Sequence, residues 1–250
     1  MTRVLILGGT GDARRLAALA APAGFEVVSS FAGRTESPRL PDGASRIGGF
    51  GGAAGLLTYL RRERIDLLVD ATHPFADRIS AHAAEAAASA SVPRLLLHRP
   101  AWAPVPGDRW LHAADIHDAA SKLPGLAERV FLTIGRQDLA AFAHLDQIWF
   151  LYRMVEAPLP EVPGPRGLLL LDRGPFTEQD ELALMTEHRI GAVVTRNSGG
   201  DETYSKLVAA RALRLPVVMI DRPPLPVSDI IETPGEALAW LQARAMGSVS

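Results

Sequence analysis

VLILGGTGDARRLAALA, residues 4–20, decides the fold. Val4 to Leu7 is a short continuous apolar run, the pattern of a strand buried on both faces. Gly8, Gly9 and Gly11 interrupt it, and an alanine-rich stretch of helical composition follows. Strand, glycine turn and helix in that order open a parallel α/β unit. The alternation continues outward. FEVVSSF (25–31), IDLLVDA (65–71) and VPRLLLH (92–98) read as strands. LLTYLRRER (56–64) and ADRISAHAAEAAASAS (76–91) read as helices between them.

Pro100 to Gly107 holds three prolines and Trp102, and reads as a linker or interdomain crossing. The pattern then resumes. RVFLTIG (129–135), IWFLYRMVE (148–156), GLLLLDR (167–173), AVVT (192–195) and PVVMIDRP (216–223) read as strands, the last of these being the final clear one. QDLAAFAHL (137–145), DELALMTEHRI (180–190), TYSKLVAARALRL (203–215) and GEALAWLQARA (235–245) read as helical. The halves repeat: Pro93, Arg99 and Pro100 match Pro216, Arg222 and Pro223 at a constant offset of 123 residues. The expected fold is α/β, two Rossmann-like lobes, each a parallel sheet flanked by helices, with a cleft between them. The expected domains are 1–100, binding nucleotide, and 101–250.

Composition removes several function classes. The chain has 250 residues, 48% hydrophobic and 22% charged, with a net charge of −2. No global field draws it to nucleic acid or to a membrane. It has no cysteine, so disulfides and thiolate metal sites are excluded, and a reducing cytoplasm is the expected location. No metal-ligand constellation is evident, and no metal is expected. The apolar run at the start is too short for a signal peptide or a spanning helix. Almost every basic residue is arginine; Lys122 and Lys206 are the two lysines, which makes each lysine mildly informative.

Four segments carry candidate chemistry. In the first, Gly8, Gly9, Thr10, Gly11, Asp12 and Ala13 lie where backbone N–H groups and a helix N-terminus meet a cofactor pyrophosphate. Arg14 stands where the full dinucleotide fingerprint has its third glycine, and no Walker lysine is present. In the second, Ser30, Gly33, Arg34 and Thr35 follow the second strand. An NAD site would place a carboxylate there; Arg34 suits a 2′-phosphate. In the third, DATHPFA (70–76), Thr72 is a plausible helix cap and Pro74 suits a first helical turn. His73 is not required by that grammar and is a candidate proton donor or cofactor contact. In the fourth, Asn197, Ser198, Gly199 and Gly200 form a turn rich in backbone donors, with Thr203 and Lys206 on the following helix.

Taken together, LILGGTGDAR, SSFAGRT, DATHPFA, the IGR turn at Ile134–Arg136, TRNSGG with Thr203 and Lys206, and VVMIDRP resemble the precorrin-6A reductase family. The resemblance spans nearly the whole chain. It departs at Arg196, where a lysine is common. It implies a two-domain Rossmann-like oxidoreductase of cobalamin biosynthesis that uses NADPH. Hydride would go to C19 of the precorrin macrocycle and a proton to C18, with His73 and Lys206 as candidate proton donors. Arg136, the Asn197–Gly200 turn, Thr203, Lys206 and Arg222 would hold the substrate's carboxylates. Two other readings stay open at the level of sequence. One is a reductase or epimerase of another anionic metabolite, and the other is a non-catalytic NADPH-sensing module.

Overall fold

The protein is described by a computed structural model that covers residues 1–33 and 43–247. The chain forms two compact units, Met1–Pro100 with Pro223–Ser250, and Ala101–Arg222.

The first unit contains β1 (Arg3–Leu7), β2 (Glu26–Phe31), β3 (Ala44–Ile47), β4 (Leu67–Asp70), β5 (Arg94–Leu97) and β12 (Asp229–Ile231), in the order β12-β5-β4-β1-β2-β3. Every pairing is parallel. Side chains alternate along β1, as strand geometry requires. Val4 and Ile6 pack toward α1 (Gly11–Ala20) and α7 (Pro234–Gly247), through Leu16, Ala17, Ala237 and Leu241. Leu5 and Leu7 pack toward α2 (Gly52–Arg62) and α3 (Asp77–Ala90), through Leu56, Leu60, Ala83 and Ala87. Helices therefore cover both faces, and the sheet is hydrophobic on both. The strand order reverses between β1 and β4, which makes their carboxyl ends the point where such folds bind ligands.

The second unit repeats this plan with β6 (Trp110–Ala113), β7 (Arg129–Thr133), β8 (Trp149–Met154), β9 (Gly167–Leu171), β10 (Ala192–Arg196) and β11 (Val217–Ile220), in the order β6-β11-β10-β7-β8-β9. All its pairings are parallel. Here β7 stands where β1 stood and β10 where β4 stood. One face packs on α5 (Glu178–Glu187) and α6 (Ser205–Ala212), through Met185, Leu207 and Ala210. The short helix α4 (Ile116–Ser121) contacts a 3-10 helix, Arg136–Phe142, whose Phe142 meets Phe150 of β8 edge-on. The repeat at offset 123 thus corresponds to a shared strand order, with β5 and β11 in different sheets. No helix of the described residues is long and apolar enough to cross a membrane.

The structure corrects the expected extent of the second domain. Residues 223–250 belong to the first unit, not to a domain 101–250. Asp229–Ile231 pairs with Leu95–Leu97 at the sheet edge, and α7 packs on α1. Conversely β6, which follows β5 in the chain, completes the second sheet beside β11. Each sixth strand comes from the segment that follows the other unit's fifth strand, and hydrophobic periodicity does not encode that choice.

Candidate functional site

Register brings two loops together at the carboxyl edge of the first sheet. Leu7 is level with both Ser30 and Asp70, so Gly8 and Ala71 leave adjacent strands side by side. Gly9 has φ +114, a left-handed conformation that favours glycine, and a Cβ there would face open space. Thr10 caps α1 by accepting from Ala13 N at 3.1 Å, and its hydroxyl donates to Ala71 O at 2.8 Å. That single side chain fixes both the helix start and the neighbouring loop. Asp12, in the first turn, pairs with Arg15 at 2.5 Å and with Arg99 at 3.2 Å. The remaining first-turn N–H groups and the open space at Gly9 suit a diphosphate, so the residues present fit a dinucleotide.

The third segment folds differently from the helix-cap expectation. Thr72 donates its hydroxyl to Asp70 Oδ1 at 2.7 Å, and its N–H reaches the same oxygen at 3.2 Å. The N-cap of α3 is Ala76, and Pro74 lies in a turn before the helix. Fully buried Asp70 therefore takes up the Thr72 hydroxyl that would have capped the helix. His73 accepts the Phe75 N–H at Nδ1, at 3.3 Å, which leaves the proton of a neutral ring on Nε2. Of the second segment, Ser30 and Gly33 are described; Arg34 and Thr35 lie outside the described residues. Arg46, level with Ser30 on β3, donates to Ser30 Oγ at 2.8 Å and stacks on Phe50 at 3.8 Å.

The second unit presents a comparable pair of loops. Thr133 of β7 is level with Thr195 of β10, so the Gly135–Arg136 turn and Asn197 emerge together. Gly199 and Gly200 have φ +67 and +75, consecutive left-handed residues. Asn197 is buried, and its carbonyl accepts from Arg222 Nε at 2.8 Å. Arg136 pairs with Glu156 at 3.4 Å, and Arg196 pairs with Asp138. Ser198 N–H reaches Arg196 O at 2.7 Å. Thr203 lies in the turn rather than on the helix, because α6 begins at Ser205.

Lys206 is 3% exposed and donates from Nζ to Thr203 O at 2.7 Å. Burial lowers its pKa to about 7; Glu181 opposes that shift and Arg153 adds to it. Glu181 and Arg153 form a buried ion pair at 2.6 Å, with Arg153 stacked on Phe176 at 3.5 Å.

Comparison with known proteins identifies the family. The model of the precorrin-6x reductase CbiJ/CobK family matches residues 3–242. The chain belongs to the precorrin-6x reductase family. It is 55% identical over 243 residues to the precorrin-6A reductase of Rhodococcus erythropolis, covering 96% of this chain and 98% of the relative. It is 45% identical to that of Rhodobacter capsulatus, covering 96% of each. The cobalt-precorrin-6A reductase of Priestia megaterium is 26% identical over 92% of this chain and 94% of its own length. A solved structure named CobK precorrin-6A reductase superposes with a TM-score of 0.92 at 45% identity, covering 98% of this chain and 97% of the other.

Within this family member, several residues of interest escaped the sequence reading. Arg46 sits on a four-residue strand that is mostly exposed and has no readable period. Glu181 and Arg153 are far apart in sequence, and only folding pairs them. Trp102 sat in the supposed linker, yet it bonds the Asn197–Gly200 turn: Trp102 N donates to Asn197 Oδ1 at 2.8 Å and Trp102 Nε1 to Gly200 O at 2.9 Å. Proline content signalled an irregular path, and the tryptophan was the one sign that the path is packed.

Proposed function

We infer that the chain reduces the C18=C19 double bond of precorrin-6A in cobalamin biosynthesis, in the cytoplasm, with NADPH as reductant. The carrying observation is the Gly8–Asp12 loop at the strand-order reversal, tied to Ala71 by Thr10, in a family member of nearly full-length similarity. Bound NADPH would supply the hydride for C19. Gly8, Gly9, Gly11, Asp12 and Ala13, with Thr10 holding the turn, would receive its diphosphate on backbone N–H groups. Ser30, Gly33, Arg34 and Thr35 would face the adenosine ribose and its 2′-phosphate, and Thr72 and His73 would line the neighbouring loop.

The balancing proton goes to C18. His73, with its proton on Nε2, and Lys206, whose pKa lies at about 7, are the candidate sources in the chain. Arg136, Arg222, Thr203 and the Asn197–Gly200 turn are proposed to hold the macrocycle's acetate and propionate groups, with Lys206 adding charge behind the turn. The metal-free substrate is favoured because relatives named for precorrin-6A are far more similar to this chain than relatives named for the cobalt form.

The test is NADPH oxidation by the purified protein with and without precorrin-6A. Oxidation that requires precorrin-6A, and is slower with NADH, is expected. Equal oxidation without precorrin-6A, or none with it, would overturn the reading.

A further inference from the structure

We propose that Trp102 is a positioning residue that presets the Asn197–Gly200 turn for the carboxylates of the tetrapyrrole, an inference that rests on the substrate role proposed for that turn.

Trp102 makes three hydrogen bonds to the turn. Its N–H donates to Asn197 Oδ1 at 2.8 Å, and its carbonyl accepts from Asn197 Nδ2 at 3.0 Å. The Asn197 amide therefore pairs with the Trp102 backbone much as a neighbouring strand would. The indole Nε1–H reaches past it to Gly200 O at 2.9 Å. The first and last residues of the turn are thus both fixed to one residue more than ninety positions away.

The need for such fixing follows from the turn itself. Gly199 and Gly200 are left-handed, and glycine loses more conformational freedom on ordering than any other residue. An unanchored Gly-Gly turn would have to order itself when an anion binds, which weakens binding. Holding Gly200 C=O against the indole also orients the next peptide. In a trans peptide the C=O and N–H point in opposite directions, so the Asp201 N–H is aimed away from Trp102.

The anchor is itself braced. The indole packs on Tyr204 with ring centroids 5.9 Å apart, and Lys206 Nζ lies 5.0 Å from its ring. Arg211 donates to Tyr204 OH at 3.0 Å and to Asp108 Oδ1 at 2.8 Å, and Asp108 accepts from Val105 N at 2.9 Å. The segment from Trp102 to Asp108 is therefore a strap fastened at one end to the start of α6, through Tyr204, and at the other to its last turn, through Arg211. A plain linker would need none of these contacts.

Trp102→Phe removes the indole donor and part of the ring system while keeping one aromatic ring. The dissociation constant for precorrin-6A, measured without cofactor, should rise about three- to tenfold, the range of one net hydrogen bond. KM for precorrin-6A should rise similarly, with kcat and NADPH affinity unchanged. Ser198→Ala, measured in parallel, reports on the turn. If Ser198→Ala weakens precorrin-6A binding and Trp102→Phe lowers only the melting temperature, the tryptophan is structural and the proposal fails alone. If neither variant changes precorrin-6A binding, the substrate role of the turn fails and the proposal with it.

Discussion

Two arginines are proposed for one task, the recognition of a 2′-phosphate beyond β2: Arg34, which lies outside the described residues, and Arg46. Arg34 follows the strand in sequence. Arg46 is level with Ser30 through the β2–β3 register and already donates to its hydroxyl. If Arg34 meets the phosphate, Arg34→Ala should weaken NADPH binding roughly ten- to hundredfold, as for loss of a charge-assisted contact, and leave NADH binding unchanged. Arg46→Ala should then change the two cofactors equally and modestly. Titrating both cofactors into both variants decides; selectivity lost in Arg46→Ala and kept in Arg34→Ala would transfer the role to Arg46. The sequence offered Arg34 because it lies a few residues past a legible strand. It hid Arg46 because that residue's position depends on a pairing that only the folded sheet reveals.

At the scale of elements, the start of α6 couples stability to pH through Lys206. Its folded pKa of about 7 lies below its unfolded value. Between the two, the unfolded chain holds a proton that the folded chain does not, so stability rises with pH across that window. The slope is at most about 1.4 kcal/mol per pH unit. Below about pH 7 the full cost of the buried charge is present in the fold. Lys206→Met lacks this titration. Denaturant unfolding should show the wild type gaining on the variant as pH rises from about 7 toward 9. A difference that stays flat, or shrinks, would contradict the buried-lysine account. The strands around this helix were legible because β7, β10 and β11 are continuous apolar runs. The burial of Lys206 was not, since a lysine beside a polar turn reads as a solvent-facing anion ligand. Thr72 misled for a similar reason: its spacing fits a helix cap, but Asp70 takes its hydroxyl.

For the whole molecule, the chain's last segment completes the first unit. Leu241 is fully buried in the core that includes Leu16 and Ala17, and Trp240 and Arg244 both bond Asp229 of β12 at 3.0 Å. Leu241→Ala should cost about 2–5 kcal/mol. Hydrogen exchange should show the lost protection in β1, β4, β5 and α1. Loss confined to β7, β10 and β11 would contradict the assignment. The two-sheet architecture was legible from apolar runs and the 123-residue repeat. The exchange of edge strands was not, because β6 and β12 are short and mostly exposed, and a strand pattern does not name its partner. The proposed reaction moves hydride from NADPH onto precorrin-6A. The most direct measurement is mass spectrometry of the tetrapyrrole product formed with NADPH deuterated on the transferred C4 position. A dihydro product carrying one deuterium, with the second hydrogen drawn from solvent, is expected. A reduced product without deuterium, or unreduced precorrin-6A, would contradict it.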